Sequence, residues 1–259
     1  MRSNKSTART ADILMMFAAS EKPLTITEIS RAMNMPKSSA FEILYTLEEK
    51  GFLEIENDQL KTFKLGVKIF EVGAAFLSKT GLHGVARPFI EKLMIQCGET
   101  VFLAVEDKGK IVYLDKAEGN AHIRTTCVIG GRNYMHLTGL GKALLAAYPT
   151  EKVRAITGGG ALLQRTERTI AHFDNLVQDL EGIRKRGYSI DDREGVEDIY
   201  CAAAPIYDRL NQPIAAISVA CLYSQMSEEK RGQISELVVD TALNISKRLG
   251  FIGNKLYFS

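Results

Sequence analysis

The chain has no tryptophan, only six prolines, and four cysteines in 259 residues. The cysteines, Cys97, Cys127, Cys201 and Cys221, stand far apart and form no Cys-x-x-Cys pair. That spacing argues against a zinc site and fits reduced thiols in a cytoplasm. An uninterrupted apolar run of about 18 residues, the length of a membrane-spanning helix, is also missing. The opening MRSNKSTART lacks the apolar stretch of a signal peptide. Neither sign of charge dominates: 33 Lys and Arg against 31 Asp and Glu leave a net charge of +2. A globally basic nucleic-acid surface is thereby excluded, and any such surface must be local. What remains is 46% hydrophobic and 25% charged, an ordinary globular composition, with length for one large or two modest domains.

The stretch MPKSSAFEILYTLEEKGFL, residues 35–53, carries the most local information. Pro36 suits the first turn of a helix and Gly51 the position just past its end. Ala40, Ile43, Leu44 and Leu47 fall on one narrow apolar face. Ser38, Glu42, Tyr45 and Glu49 point the other way. Two hydroxyls and Lys37 at the leading end suit a helix whose free N–H groups meet an anion. Upstream, residues 8–20 read as a helix with Ile13, Leu14 and Phe17 inward, and ITEISRAM, capped by Thr25 or Thr27, as a second. Two short helices joined by a few residues make a helix-turn-helix. Leu53 and Ile55 then alternate with Glu54 and Glu56, and Lys61 and Lys64 bracket Phe63. That period-2 hairpin is the wing of a winged helix.

Residues 65–82 read as a linker helix with Leu65, Ile69, Val72 and Phe76 as its stripe. The rest alternates strand-like and helical runs. TVFLAVED, KIVYLDKA, HIRTTCVI, YCAAAPIYD and PIAAISVACL are expected strands. GLGKALLAAY and the segments around 169–187 and 227–250 are expected helices, and DKGK and RLNQP are hairpin turns. The fold class is therefore α+β. The expected boundaries are a winged helix-turn-helix over 1–64, a linker helix over 65–82, and over 83–259 an effector-binding domain. That last domain resembles the GAF and PAS type, with an antiparallel sheet flanked by helices.

Together these pieces resemble the IclR family of transcriptional regulators along nearly the whole chain. The resemblance is carried by PLTITEISRAMNMPKSSAFEILYTLEEKGFLE, by IGGRNYMHLTGLGKALLA, and by RKRGYSIDDREGVEDIYCAAAPIYD followed by PIAAISVA. In the last stretch Gly187, Asp191, Glu194, Cys201 and Asp208 stand at the family's spacing. It implies a homodimer or homotetramer that binds double-stranded operator DNA through the winged helix. A small-molecule effector, an organic or aromatic acid, binds the C-terminal domain. Members act as repressors or activators. Glu42 replaces an arginine frequent in the family, Tyr45 stands where a basic residue is common, and Ala220 stands where some relatives have a serine. The target sequence therefore does not transfer from relatives.

Arg9, Thr27, Lys37, Ser38, Ser39, Glu42, Tyr45 and Lys61 are the expected DNA-binding residues. Arg2, Lys5 and Arg9 are expected to form an arm into a minor groove, with Arg31 and Lys64 at flanking phosphates. Ser38 and Ser39 have a second reading as helix caps. In HLTGLGK the residue five before Gly141 is His136 and the residue after Lys142 is Ala143, which rules out a phosphate loop. The glycines are read instead as a helix start whose N–H groups at Gly139, Leu140 and Gly141 suit a carboxylate. The resemblance adds Asp191, Cys201 and Ser218 as effector contacts. Arg124 pairs either with the ligand or with Asp191 or Glu194, and His122 and His136 read as structural. GGG at 158–160 reads as a turn. No nucleophile elbow, metal cluster or phosphate loop supports catalysis, so no catalytic residue, metal or cofactor is expected. The other reading is a metabolite-sensing module whose winged helix contacts protein.

Overall fold

A computed structural model describes residues 4–119 and 127–257, with side chains except those of 77–80. The chain divides into two units, residues 1–80 and 81–259. In the first run α1 (Lys5–Ala19), β1 (Leu24–Thr25), α2 (Ile26–Ala32), α3 (Lys37–Glu49), β2 (Leu53–Asn57), β3 (Thr62–Leu65) and α4 (Val67–Thr80). The strands form an antiparallel sheet in the order β1-β3-β2. Of the set that the periodicity selects, Ile13, Phe17, Ile29, Ala40, Leu44, Leu47, Leu53 and Phe63 are buried, Leu14 and Ile43 pack against them half-buried, and Leu24 and Met35 join the core from outside that set. Thr25, not Thr27, caps α2, in a reciprocal box with Glu28. Gly51, at φ +75°, ends α3 in the left-handed region that favours glycine. Gly66 is required by close approach, because a Cβ there would lie 2.4 Å from the Gly51 carbonyl oxygen.

The expected arm is not one over the described residues. Asn4 accepts from the amides of Ser6 and Thr7, so α1 already begins at Lys5 and holds Lys5 and Arg9 in rigid helix, with Arg9 half-buried. Arg2 lies outside the described residues. The expected linker helix starts two residues late, at Val67, because Leu65 pairs with Leu53 in the wing.

The second unit contains α5 (Leu82–Cys97), β4 (Thr100–Asp107), β5 (Lys110–Ala117), β6 (Arg132–Tyr134), α6 (Gly139–Ala147), α7 (Thr150–Thr157), α8 (Phe173–Arg186), β7 (Ser189–Asp192), β8 (Ile199–Tyr207), β9 (Pro213–Leu222) and α9 (Glu228–Arg248). Its sheet is antiparallel throughout, in the order β6-β5-β4-β9-β8-β7. The chain ends β4, β9 and β8 are adjacent, so early and late segments share one core. α5 and α9 pack together and against the sheet, and α6 packs on β8, β9 and β7 with α8 beside it. The elements β1, β6, β7 and α7 carry no clear period in the sequence, and the first three are two to four residues long. Most of HIRTTCVI falls on residues 120–126, outside the described residues, as do His122 and Arg124. Gly158 and Gly159, both at positive φ, are a turn that ends α7. The signature residue Gly187, at φ +91°, ends α8, and Asp208 Oδ1 accepts from the amides of Leu210 and Gln212 to shape the β8–β9 hairpin.

Candidate functional site

The first candidate surface is the start of α3. Its N-cap is Pro36, which offers no side-chain hydrogen bond, and the first bond of the helix runs from the Ala40 amide to the Pro36 carbonyl. The amides of Lys37, Ser38 and Ser39 are therefore left without a partner among the described residues. Neither serine hydroxyl bonds a described residue, so the capping reading of Ser38 and Ser39 fails: they lie inside the first turn. Lys37, Ser38 and Glu42 are exposed and Ser39 is half-buried. Free donors, a positive dipole end and Lys37 are the features that suit an anion. Thr27 and Arg31 on α2 are exposed.

Tyr45 departs from expectation. It is half-buried, its ring edge on Phe63 at 5.5 Å between centroids and its other side against Phe41 at 4.2 Å. The large apolar ring completes the core rather than standing free. Lys61 is exposed on the wing turn and paired with Asp58 at 2.6 Å. Lys64 lies 3.7 Å from Glu56.

The second candidate is a cavity of about 290 Å³ in the second unit. Gly139, Leu140, Asp191, Cys201 and Ser218 all line it, together with Ala220. β7, β8 and β9 pair so that Asp191 faces Cys201, and Cys201 faces Ala220, across the sheet. β4 adds Phe102, opposite Ser218, and β5 adds Tyr113, its ring edge-on to Phe102 at 5.5 Å. Ser218 is buried, and no described residue bonds its hydroxyl. At the start of α6 the Thr138 hydroxyl accepts from the Gly141 amide at 3.0 Å. Gly141 therefore offers no free N–H to a ligand, contrary to expectation. Its missing Cβ serves packing, since one there would lie 2.2 Å from the Met135 carbonyl oxygen. The amides of Gly139 and Leu140 have no partner among the described residues, and both residues line the cavity.

Asp191 is buried, and its Oδ1 accepts from the amides of Glu194 at 2.7 Å and Gly195 at 3.4 Å. Burial, and then the nearby Glu194, push its carboxyl up to about 7 against those hydrogen bonds and Lys142. Such a group can hold a proton near neutral pH and share it with an acid. Glu194 is occupied elsewhere: Lys142, itself buried, donates to Glu194 at 2.6 Å and to Asp179 at 2.9 Å. The lysine that suggests a phosphate loop is thus an internal strut that ties α6 to α8 and to the turn holding Asp191.

Among the described residues, His136 does not line the cavity beside Cys201. The His136 ring hydrogen-bonds the Leu163 carbonyl at 2.9 Å and stays outside the cavity wall. Burial, and then Asp191, push the Cys201 thiol well above its ordinary value, which disfavours a thiolate. Among the described residues no group of three or more His, Cys, Asp or Glu side chains is placed to hold a metal, and no helix is long and apolar enough to cross a membrane. Sequence reasoning missed Tyr113, Cys127, Asn133 and Asp198, which also line the cavity. The strict alternation of β5 carries the signal for Tyr113, since every second residue from Ile111 is buried. The other three lie on a short strand or loops.

Comparison with known proteins finds relatives for both units. The family model of the IclR helix-turn-helix domain matches residues 6–56, and that of the bacterial transcriptional regulator IclR C-terminal matches residues 74–247. The HTH-type transcriptional repressor AllR of Escherichia coli K12 is 33% identical over 238 residues, covering 92% of this chain and 88% of the relative. The crystal structure of the Thermotoga maritima IclR superposes with a TM-score of 0.81 at 30% identity, over 95% of this chain and 99% of that one. An IclR homologue from Microbacterium hydrocarbonoxydans, solved with 4-hydroxybenzoate, shares the fold at a TM-score of 0.84 and 22% identity, over 95% of this chain and 99% of that one.

Proposed function

The chain belongs to the IclR family of bacterial transcriptional regulators, and from that premise we propose that it is a DNA-binding regulator whose operator affinity is set by a small organic or aromatic acid held in the second unit. Members of the family are transcriptional regulators, not enzymes. The observation that carries the proposal is the cavity itself, with two free amides of α6 on one wall, a buried carboxyl of raised pKa on another, and the Ser218 hydroxyl between strands that carry aromatic rings. The acid group lies against the Gly139 and Leu140 amides, and Asp191 shares its proton with the ligand or orients a hydroxyl of it. Ser218 and Cys201 complete the contact.

The α3 start, with Lys37, Ser38, Ser39 and Glu42, lies in the major groove, and the wing lysine Lys61 flanks it. Thr27 takes a backbone phosphate. One such unit reads only a half-site, so the operator is a pair read by a two-fold dimer. The α4 stripe supports that assembly, because its Val72 and Phe76 are each more than half exposed in the single chain. Ligand and DNA are linked through their preferences for one arrangement of the dimer. A coupling of about 1–3 kcal/mol changes operator affinity by roughly 5–150-fold.

A thermal-shift screen of organic and aromatic acids tests the cavity, since a ligand bound only by the folded state raises its stability. The expected outcome is a rise with at least one acid that Asp191→Asn and Ser218→Ala reduce. An acid that stabilises wild type and both variants equally binds elsewhere, and the proposal for this cavity fails.

A further inference from the structure

We infer that Phe41 is a base-reading residue of this regulator, its ring receiving the C5 methyl group of a thymine in the major groove. The inference rests on the reading of α3 as the helix that enters DNA. Phe41 is 48% exposed, and it belongs neither to the core of the first unit nor to the side chains packed against that core. It shares the outward side of α3 with Ser38 and Glu42, one helical turn from the free amides of Lys37, Ser38 and Ser39.

The core has no need of it. Tyr45 already closes over Phe63, edge to face at 85° and 5.5 Å. Phe41 lies on the far side of Tyr45, at 4.2 Å and 35°. Tyr45 is in turn tied to the wing through its contact with Phe63, because Phe63 lies on β3. The Phe41 ring is thus backed by a second ring and barred from folding inward.

A ring held outward at this place does one kind of work. It carries no donor, acceptor or charge, so it offers nothing to phosphate oxygens. Of the groups that base pairs present in the major groove, the thymine methyl is the apolar one. The neighbours divide the remaining work: amides, Lys37 and the serines meet phosphate and polar edges, and Phe41 supplies the apolar contact. This also fits the position next to Glu42, whose carboxylate can accept from a cytosine amine but repels phosphate.

The test begins with random-sequence duplexes selected by the full-length protein and by its Phe41→Ala and Phe41→Leu variants. The duplex preferred by wild type is then remade with uracil in place of each thymine in turn, which deletes one methyl group. Wild type is expected to lose about fourfold at one position per half-site, the partition of one buried methyl. Phe41→Leu should keep part of that penalty. Phe41→Ala should show none there, and its selected duplexes should carry no thymine preference at that position. Equal wild-type affinity for thymine and uracil at every position overturns the inference, as does a Phe41→Ala protein with an undiminished penalty. Both outcomes leave α3 as a DNA-binding helix. Failure of wild type to enrich any duplex overturns that reading and this inference together.

Discussion

Two helices of this protein begin at a site offered to an anion, and they begin differently. α3 starts at Pro36 with no side chain closing its end, on an exposed surface, with three unpartnered amides. α6 starts at Thr138, buried, with the hydroxyl already bonded to one amide and two left facing a cavity. The contrast follows from the partner. A DNA backbone is a wide, repeated polyanion reached from solvent, so every free donor on an open helix end is useful. The acid proposed for the cavity of about 290 Å³ would bring one acid group, and a buried amide it did not reach would go unsatisfied. Satisfying an orphan donor internally avoids roughly 1–3 kcal/mol of desolvation.

The buried end should break more severely. Lys142→Ala removes the counter-charge of Asp179 and Glu194 in the interior. A stability loss of about 3–5 kcal/mol is expected, read as a lower urea midpoint. Lys142→Met with Glu194→Gln should recover part of it, because two removed charges cost less than one left unpaired. The exposed end should break in function alone. Ser38→Ala with Ser39→Ala removes two hydroxyl donors to phosphate per half-site, each worth about 1.5 kcal/mol, so affinity should fall on the order of a hundredfold per half-site with the melting temperature unchanged. Equal gel-shift affinity for variant and wild type would remove DNA from the α3 side of the comparison.

Proton linkage separates the two ends in a subtler way. Burial pushes the Asp191 carboxyl up to about 7 from an ordinary 3.8. Its contribution is complete below about pH 3.8 and is lost as pH rises through about 7. Asp191→Asn should flatten the pH dependence of the urea midpoint across that window. An anionic ligand beside Asp191 favours the protonated carboxyl, so affinity for an acid should decline above about pH 7 in wild type and not in the variant.

The same contrast explains what could be read in advance. The winged helix was legible because its groove-facing residues and its core lie on one regular helix: a period of 3.6 assigns Ala40, Leu44 and Leu47 inward and Ser38 and Glu42 outward. It failed at Tyr45, where angle alone ignores the reach of a large ring back to Phe63. The cavity was legible only through family spacing. Asp191, Cys201 and Ser218 come from three strands, and nothing within any one segment announces that they meet. Gly141 misled because periodicity cannot distinguish a glycine that frees an amide from one that makes room for Met135. The role of Lys142 needed its partners Asp179 and Glu194, 37 and 52 residues away.

The smallest expected effect is also the most direct exchange between the two ends. Thr138→Ala removes the cap of α6 and should cost about 1 kcal/mol of stability, whereas Thr138→Ser should restore it. Ligand affinity should change little if the acid lies against the Gly139 and Leu140 amides as proposed, because the hydroxyl is spent on Gly141. The reverse change, Pro36→Ser, installs a cap at α3, where φ −57° and ψ 142° already suit one. Its gain of about 1 kcal/mol is offset by roughly 0.4–1 kcal/mol from the freer unfolded chain without proline, so stability should stay near wild type. Operator affinity should nevertheless drop, since the new hydroxyl occupies an amide that phosphate would use. If Pro36→Ser binds operator as well as wild type, the open end of α3 is not what meets the DNA backbone, and Lys37 with the two serine hydroxyls must supply that contact alone.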